Sequence, residues 1–87
     1  MSKRRNEMMS MIRQEPFSYR AAYDADNNVE YEGWATPGNP TTGAHWIIAK
    51  HTYTSGNMTA TTWAQDSDEV VGQFTNIWDN YASLTYV

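Results

Sequence analysis

The stretch AHWIIAKHTYTSGNMTATTWA, residues 44–64, decides the fold of this chain. Two runs rich in aromatic and β-branched residues flank the dipeptide Ser55-Gly56. Glycine there supplies the positive φ that a two-residue type I′ turn requires. We therefore predict a β-hairpin with strands over residues 44–53 and 57–64.

The register of this hairpin predicts two partly apolar faces. If Thr54 pairs with Asn57, then Ile48 lies opposite Trp63 on the face that also carries Trp46. The other face carries Ile47, Ala49, Tyr53, Met58, Ala60 and Ala64. An antiparallel sheet with one wet face alternates more cleanly. We therefore expect one face to pack on the domain core and the other to be covered by a helix, the N-terminal arm or another subunit.

Two strands are predicted before the hairpin. Residues 17–22 alternate in the manner of a strand, and the Asp- and Asn-rich run at residues 24–28 is typical of a turn because these side chains bond their own backbone. A second strand follows over residues 29–35. It ends at the sequence TPGNP, residues 36–40, where two prolines and a glycine interrupt strand pairing.

The C-terminal segment combines helix and strand signals. Val70, Phe74 and Trp78 are spaced by four, and an Asp-Ser pair at residues 66–67 can cap a helix. We predict a short helix or helical turns there and a final strand over residues 83–86. The fold class is therefore a β-rich small α+β domain, with an antiparallel sheet around a central hairpin.

The chain has 87 residues and no cysteine, so it forms one small domain, residues 17–87, without disulfides. Folding at this size buries only roughly 60% of the surface that the unfolded chain exposes. The core is thin, and assembly with other subunits is the remaining source of stability. The candidate core or interface rings are Trp34, Trp46, Trp63, Trp78, Tyr31 and Tyr86.

Charge divides the chain into a basic N-terminal arm, residues 1–16, and an acidic body. Residues 1–13 hold four basic side chains against one acid, a net charge of +3, and residues 14–87 hold two against nine, a net charge of −7. An acidic body argues against nucleic acid as a partner. A basic arm on an acidic body favours pairing with a neighbouring copy of the same chain.

The arm combines its basic residues with an apolar stripe. Met8, Met11 and Ile12 fall on one helical face if the arm is helical rather than extended. The candidate interface residues of the arm are Lys3, Arg4, Arg5, Met8, Met11, Ile12 and Arg13. We interpret the arm as an assembly strap, with a solvated N-terminus as the alternative.

The sequence offers no catalytic or metal-binding constellation. His45 and His51 share a strand face but stand roughly 20 Å apart at about 3.3 Å per residue, too far to share a metal ion. Glu30 and Glu32 also share a face, and we interpret them as a solvated edge. No stretch approaches the roughly 18–20 apolar residues of a membrane span. We therefore predict no enzyme, no cofactor and no membrane partner.

A set of motifs in residues 29–87 resembles a known family. The motifs are residues 31–38 (YEGWATPG), 46–50 (WIIAK), 56–59 (GNMT), 63–64 (WA) and 77–86 (IWDNYASLTY). Their order is similar to that in a family of short uncharacterised proteins encoded among the virion genes of tailed bacteriophages. The resemblance implies a virion component, made in the host cytoplasm, whose partners are other virion proteins and copies of itself.

The function expected from these observations is that of a small structural protein of a tailed bacteriophage particle. It docks on neighbouring subunits of the tail or neck, or on the capsid surface. One alternative is a glycan-binding module for host recognition, in which exposed Trp and Tyr rings stack on sugars. A second alternative is an acidic inhibitor of a host protein. Two tryptophans projecting from a flat exposed surface would favour the glycan-binding module.

Overall fold

The computed structural model describes residues 17–87, and the predicted arm lies outside the described residues. All strand pairs are antiparallel, and the strand order is β1-β2-β3-β4-β6, with β5 beside β3. The elements are β1 (Ser18–Tyr23), β2 (Val29–Ala35), β3 (Ala44–Thr54), β4 (Asn57–Gln65), β5 (Asn76–Ile77), a 3₁₀ helix (Trp78–Ser83) and β6 (Thr85–Tyr86). The predicted β-rich fold class is confirmed.

The central hairpin turns where the sequence predicted. Ser55 and Gly56 have φ values of 53° and 83°, so both central residues are left-handed, as a type I′ turn requires. Thr54 pairs with Asn57 across this turn. The turn prediction is therefore confirmed. A local signal of two residues was sufficient to specify this turn.

The predicted register beyond the turn is wrong. The pairing of β3 with β4 shifts by one residue at Tyr53, which leaves Thr59 as the additional residue on β4. Such a bulge reverses the side of the sheet to which every later residue of the strand points. Trp63 therefore pairs with Ala49 instead of Ile48 and lies on the opposite face from the one predicted.

One face of the sheet carries the hydrophobic core, and we call it the core face. Trp46 and Ile48 are almost completely buried there, and the Trp46 ring lies 6.1 Å from the Trp78 ring. The C-terminal segment covers this face from the 3₁₀ helix to β6. The cluster consists of Ala35, Trp46, Ile48, Ala64 and Trp78, with Ala22, Tyr31, Tyr81, Leu84 and Tyr86 packed against it.

Residues 66–75 form a loop, so the predicted position of the C-terminal helix is wrong. The Asp66 carboxylate accepts hydrogen bonds from the backbone N–H groups of Asp68 and Val70, which compete with helix formation. Glu69 and Gly72 both have positive φ, which interrupts a helix. Helical turns do form, but they begin at Trp78 as a 3₁₀ helix.

The last residues of the chain form the edge of the sheet beside β4. Trp63 and Val87 exchange two backbone hydrogen bonds, of 3.1 and 3.0 Å. The Tyr86 hydroxyl donates to the carbonyl of Tyr81 at 2.7 Å, and burial raises its pKa well above the usual range. The final strand is therefore held by its backbone and by a half-buried ring. Within residues 17–87, no helix is both long enough and apolar enough to cross a lipid bilayer.

Candidate protein-binding face

The six candidate rings divide between the two faces of the sheet. Trp46 and Trp78 belong to the core, and Tyr31 and Tyr86 pack against it. The other two rings, Trp34 and Trp63, are half-buried on the opposite face, which we call the groove face. The sequence did not separate these roles, because the bulge in β4 decides the side on which Trp63 lies.

An apolar groove of about 230 Å³ lies at one end of the groove face. We call it the aromatic groove and define it by its lining residues, Phe17, Trp34, Ile47, Trp63 and Phe74. Three of these side chains come from the neighbouring strands β2, β3 and β4, and Phe17 directly precedes β1. All five are apolar or aromatic, so the groove suits an apolar occupant.

The walls of the aromatic groove are held by ring contacts. The rings of Phe17 and Phe74 stack with centroids 5.7 Å apart and planes only 7° from parallel. Trp34 lies 5.8 Å from Tyr19 on one side and 6.2 Å from Trp63 on the other. Rings fixed in this way lose little conformational freedom when a partner binds, which favours affinity.

Trp34 also carries an unpaired polar group. Its indole Nε1–H is buried and has no hydrogen-bond partner in the part of the chain that the structure describes. A buried donor without an acceptor costs roughly 1–3 kcal/mol. The Oδ1 atom of Asn76, which does not line the groove, is also buried without a partner among the described residues, so such a group is not confined to the groove face.

A row of polar side chains crosses the same face beside the aromatic groove. The Tyr19 hydroxyl donates to Glu32 Oε2 at 2.5 Å, and His51 Nε2 lies 2.6 Å from Glu32 Oε1. His51 Nδ1 lies 2.9 Å from the Thr61 hydroxyl oxygen. The row takes one residue from each of β1, β2, β3 and β4, so it ties the four strands together.

This polar row corrects the interpretation of Glu32 as part of a solvated edge. Strand β2 lies between β1 and β3, and both carboxylate oxygens of Glu32 are engaged within the protein. A hydroxyl, an imidazole and a carboxylate connected in series also occur in nucleophilic catalysis. Here the Thr61 hydroxyl, the His51 ring and the Glu32 carboxylate form such a series, and it links strands β4, β3 and β2.

The described residues offer no group of three His, Cys, Asp or Glu side chains that could hold a metal ion. His45 is exposed and His51 is paired with Glu32, so the two histidines have separate environments. The arm residues proposed as an interface, Lys3, Arg4, Arg5, Met8, Met11, Ile12 and Arg13, lie outside the described residues.

Sequence reasoning missed three of the five residues that line the aromatic groove, namely Phe17, Ile47 and Phe74. The alternation of side chains along β1 could have identified Phe17. Phe17 and Tyr19 are two residues apart and so lie on one face, and Tyr19 pairs with Trp34. Phe74 gave no such signal, since its position depends on the loop after β4. Comparison of the chain with protein-family models, curated proteins and solved structures finds no match.

Proposed function

We propose that this chain is a small structural protein of a tailed bacteriophage particle and that it docks on neighbouring subunits through its groove face. The observation that carries the proposal is the asymmetry of the sheet. The C-terminal segment covers the core face, whereas the aromatic groove opens on the other face and has an apolar lining. The motif resemblance described above supplies the particle as the setting.

The composition of the groove face supports protein binding in particular. Aromatic side chains dominate the energetic centres of protein interfaces, where they fill pockets from which water is excluded. Trp34 and Trp63 line the aromatic groove, where a partner would cover them. Phe74 lines the same groove and is 43% exposed. We assign the chain no catalytic activity. We favour the tail or neck slightly over the capsid surface as its location.

The test is retention of the chain in purified particles. Trp63→Ala should fold but be retained at a clearly reduced copy number, because it removes one wall of the aromatic groove. The matched control is Tyr23→Ala, which removes a ring that is 62% exposed and lies outside the groove. The control should be retained like the parent. Absence of the parent chain from purified particles, or equal retention of the two variants, would refute the proposal.

The copy number of the parent chain then separates the two locations. Subunits around a tail axis follow its cyclic symmetry and number from a few to about a dozen, whereas a capsid-surface subunit is present in hundreds of copies. Quantitative mass spectrometry against the major capsid protein gives this number directly.

Glycan binding is the second candidate, since two tryptophans and a carboxylate share the groove face. The rings of Trp34 and Trp63 are tilted by 35° and form the walls of a groove instead of a flat platform. The Glu32 oxygens that would hold sugar hydroxyls already accept from Tyr19 and His51. Saturable quenching of tryptophan fluorescence by host-surface glycans, lost in Trp63→Ala, would favour this candidate over the first.

A further inference from the structure

The aromatic groove lies next to the point where the N-terminal arm leaves the domain. Phe17, the first described residue, lines the groove, and the arm of sixteen residues directly precedes it. Five residues from Phe17 back to Ile12 reach up to about 17 Å when extended, and a helix from Ile12 back to Met8 adds about 6 Å. The arm is therefore long enough to leave its own subunit and reach a neighbouring one.

The arm has a segment whose chemistry matches the groove. Met8, Met11 and Ile12 share one face of a helical arm, which makes an apolar stripe, and methionine is unbranched and flexible enough to fill irregular apolar gaps. The groove lining is entirely apolar. Contact with these side chains would therefore not bury a polar group of the lining without a hydrogen-bond partner.

Charge complements the apolar match. The stripe follows the basic residues Lys3, Arg4 and Arg5, and the segment that follows β4 exposes the acids Asp68 and Glu69. This segment continues to Phe74, which is a wall of the groove. Attraction between the basic end of an arm and these exposed acids would help to set the orientation and register of the arm on the groove face.

The direction of the chain at the groove favours the arm of a second copy over the chain's own arm. The Phe17 ring lines the groove and stacks on Phe74, and β1 starts with the next residue. A return of the arm to its own groove needs a reversal of the chain within the few residues that precede Phe17. The arm of a neighbouring copy approaches without this constraint.

We infer that the aromatic groove binds the Met8–Ile12 stripe of a second copy of this chain. This inference rests on the proposed function in that it names the partner of the same face. Each copy then supplies one arm and accepts another, so the contact repeats from subunit to subunit and generates a ring if the rotation closes.

The inference is tested by mixing two full-length variants that fail in complementary ways. One, Met8→Ser with Met11→Ser and Ile12→Ser, has no apolar stripe but an intact groove. The other, Phe74→Lys, places a positive charge at the groove and keeps the arm. The parent should sediment as an assembly of several chains, each variant alone as one chain, and the mixture as a complex of one chain of each.

Two controls keep the test specific. Val70→Lys places the same charge in the same loop at a residue of equal exposure, 44% against 43% for Phe74, but outside the groove. Met9→Ser removes a methionine that lies off the stripe. Both should assemble like the parent, whereas each test variant should weaken assembly by roughly tenfold or more. Circular dichroism establishes folding, and Phe74→Ser replaces Phe74→Lys if the charged variant unfolds.

The contrary outcomes are equally defined. A parent that sediments as a single chain overturns the inference, as does a mixture in which both variants remain single chains, which would indicate an arm bound to its own groove. Equal behaviour of Phe74→Lys and Val70→Lys also overturns it. These readouts use the purified chain alone, so they are independent of retention in particles, which tests the proposed function.

Discussion

At the scale of single residues, Gly33 shows how closely the core elements approach. A Cβ atom at this position would lie 2.6 Å from Cε3 of the Trp78 ring and 2.9 Å from Cζ3. Neither the central strand β2 nor a 93%-buried indole can move away easily. Gly33→Ala should therefore lower the free energy of unfolding by about 1–3 kcal/mol, as overpacked core variants do.

Chemical denaturation measures this effect, and Gly43→Ala is the control. A Cβ atom at Gly43 would also be crowded, but by the ring of His45, which is exposed and free to rotate. Gly43→Ala should stay within about 0.5 kcal/mol of the parent. Equal losses in the two variants would show that the contact between Gly33 and Trp78 is not tight.

Gly56 tests backbone conformation without side-chain crowding. Its φ is +83°, and no atom lies within 4 Å of the position of a Cβ. Gly56→Val should cost about 1–2 kcal/mol more than Gly56→Asn, because a β-branched residue resists positive φ whereas asparagine tolerates it. The comparison is made by thermal unfolding. Identical midpoints would mean that the turn rearranges to another type.

At the scale of elements, local signals predicted the strands and the tertiary context decided the rest. The boundaries of β2 were predicted correctly, since alternation and the following proline-rich loop are encoded within a few residues. The bulge at Thr59 was not predictable, because threonine suits both a regular strand and a bulge. Its effect extends to Trp63, so the second apolar face was expected from the sequence but Trp63 was assigned to the wrong side.

The loop at residues 66–75 shows a second limit of sequence reasoning. A spacing of four from Val70 to Phe74 and Trp78 suggests a helix, but only Trp78 of the three is buried. The Asp66 side chain organises this segment as a loop by accepting three hydrogen bonds, two of them from backbone N–H groups. Asp66 was expected to cap a helix, but its side chain instead stabilises a loop in place of that helix.

The role of Asp66 gives a prediction for pH dependence. Hydrogen bonds, first of all from the Thr75 hydroxyl, lower the pKa of Asp66 below its usual value of 3.8. A lowered pKa in the folded state adds stability above that value, and this stability is lost as the pH falls through the folded pKa. The melting temperature of Asp66→Ala should therefore lie below that of the parent at neutral pH.

The difference between the two melting temperatures should then narrow as the pH falls below about 4 and through the folded-state pKa of Asp66. Thermal unfolding at several pH values measures it. Asp68→Ala is the matched control, because it removes an exposed carboxylate that lies two residues away and accepts none of these hydrogen bonds. A constant difference at all pH values would contradict the role of the ionised Asp66 side chain.

At the scale of the whole molecule, the sheet carries two different kinds of aromatic residue. Trp46 and Trp78 lie under the C-terminal segment and form the centre of a small core. Trp34 and Trp63 line an open apolar groove on the other face, and the buried indole N–H of Trp34 has no partner among the described residues. A chain of 87 residues buries a limited share of its surface, and the groove face leaves its apolar lining open.

The two faces should therefore respond differently to loss of a tryptophan. Trp78→Ala empties the core and should cost about 3–5 kcal/mol, a large part of the 5–15 kcal/mol that typically stabilises a domain. Trp63→Ala removes a half-buried wall of the groove, so its loss of unfolding free energy should be less than half as large. Urea unfolding of the purified chains measures both values.

The dependence of the melting temperature on protein concentration shows how much of the chain's stability comes from assembly. If the groove face is an interface, assembly should raise the melting temperature of the parent as protein concentration increases, because binding to the folded state alone shifts unfolding by mass action. Trp63→Ala should lose this concentration dependence while it keeps most of the stability at high dilution. If Trp63→Ala instead unfolds as readily as Trp78→Ala at every concentration, then the aromatic groove belongs to the core of the domain and the docking face lies elsewhere.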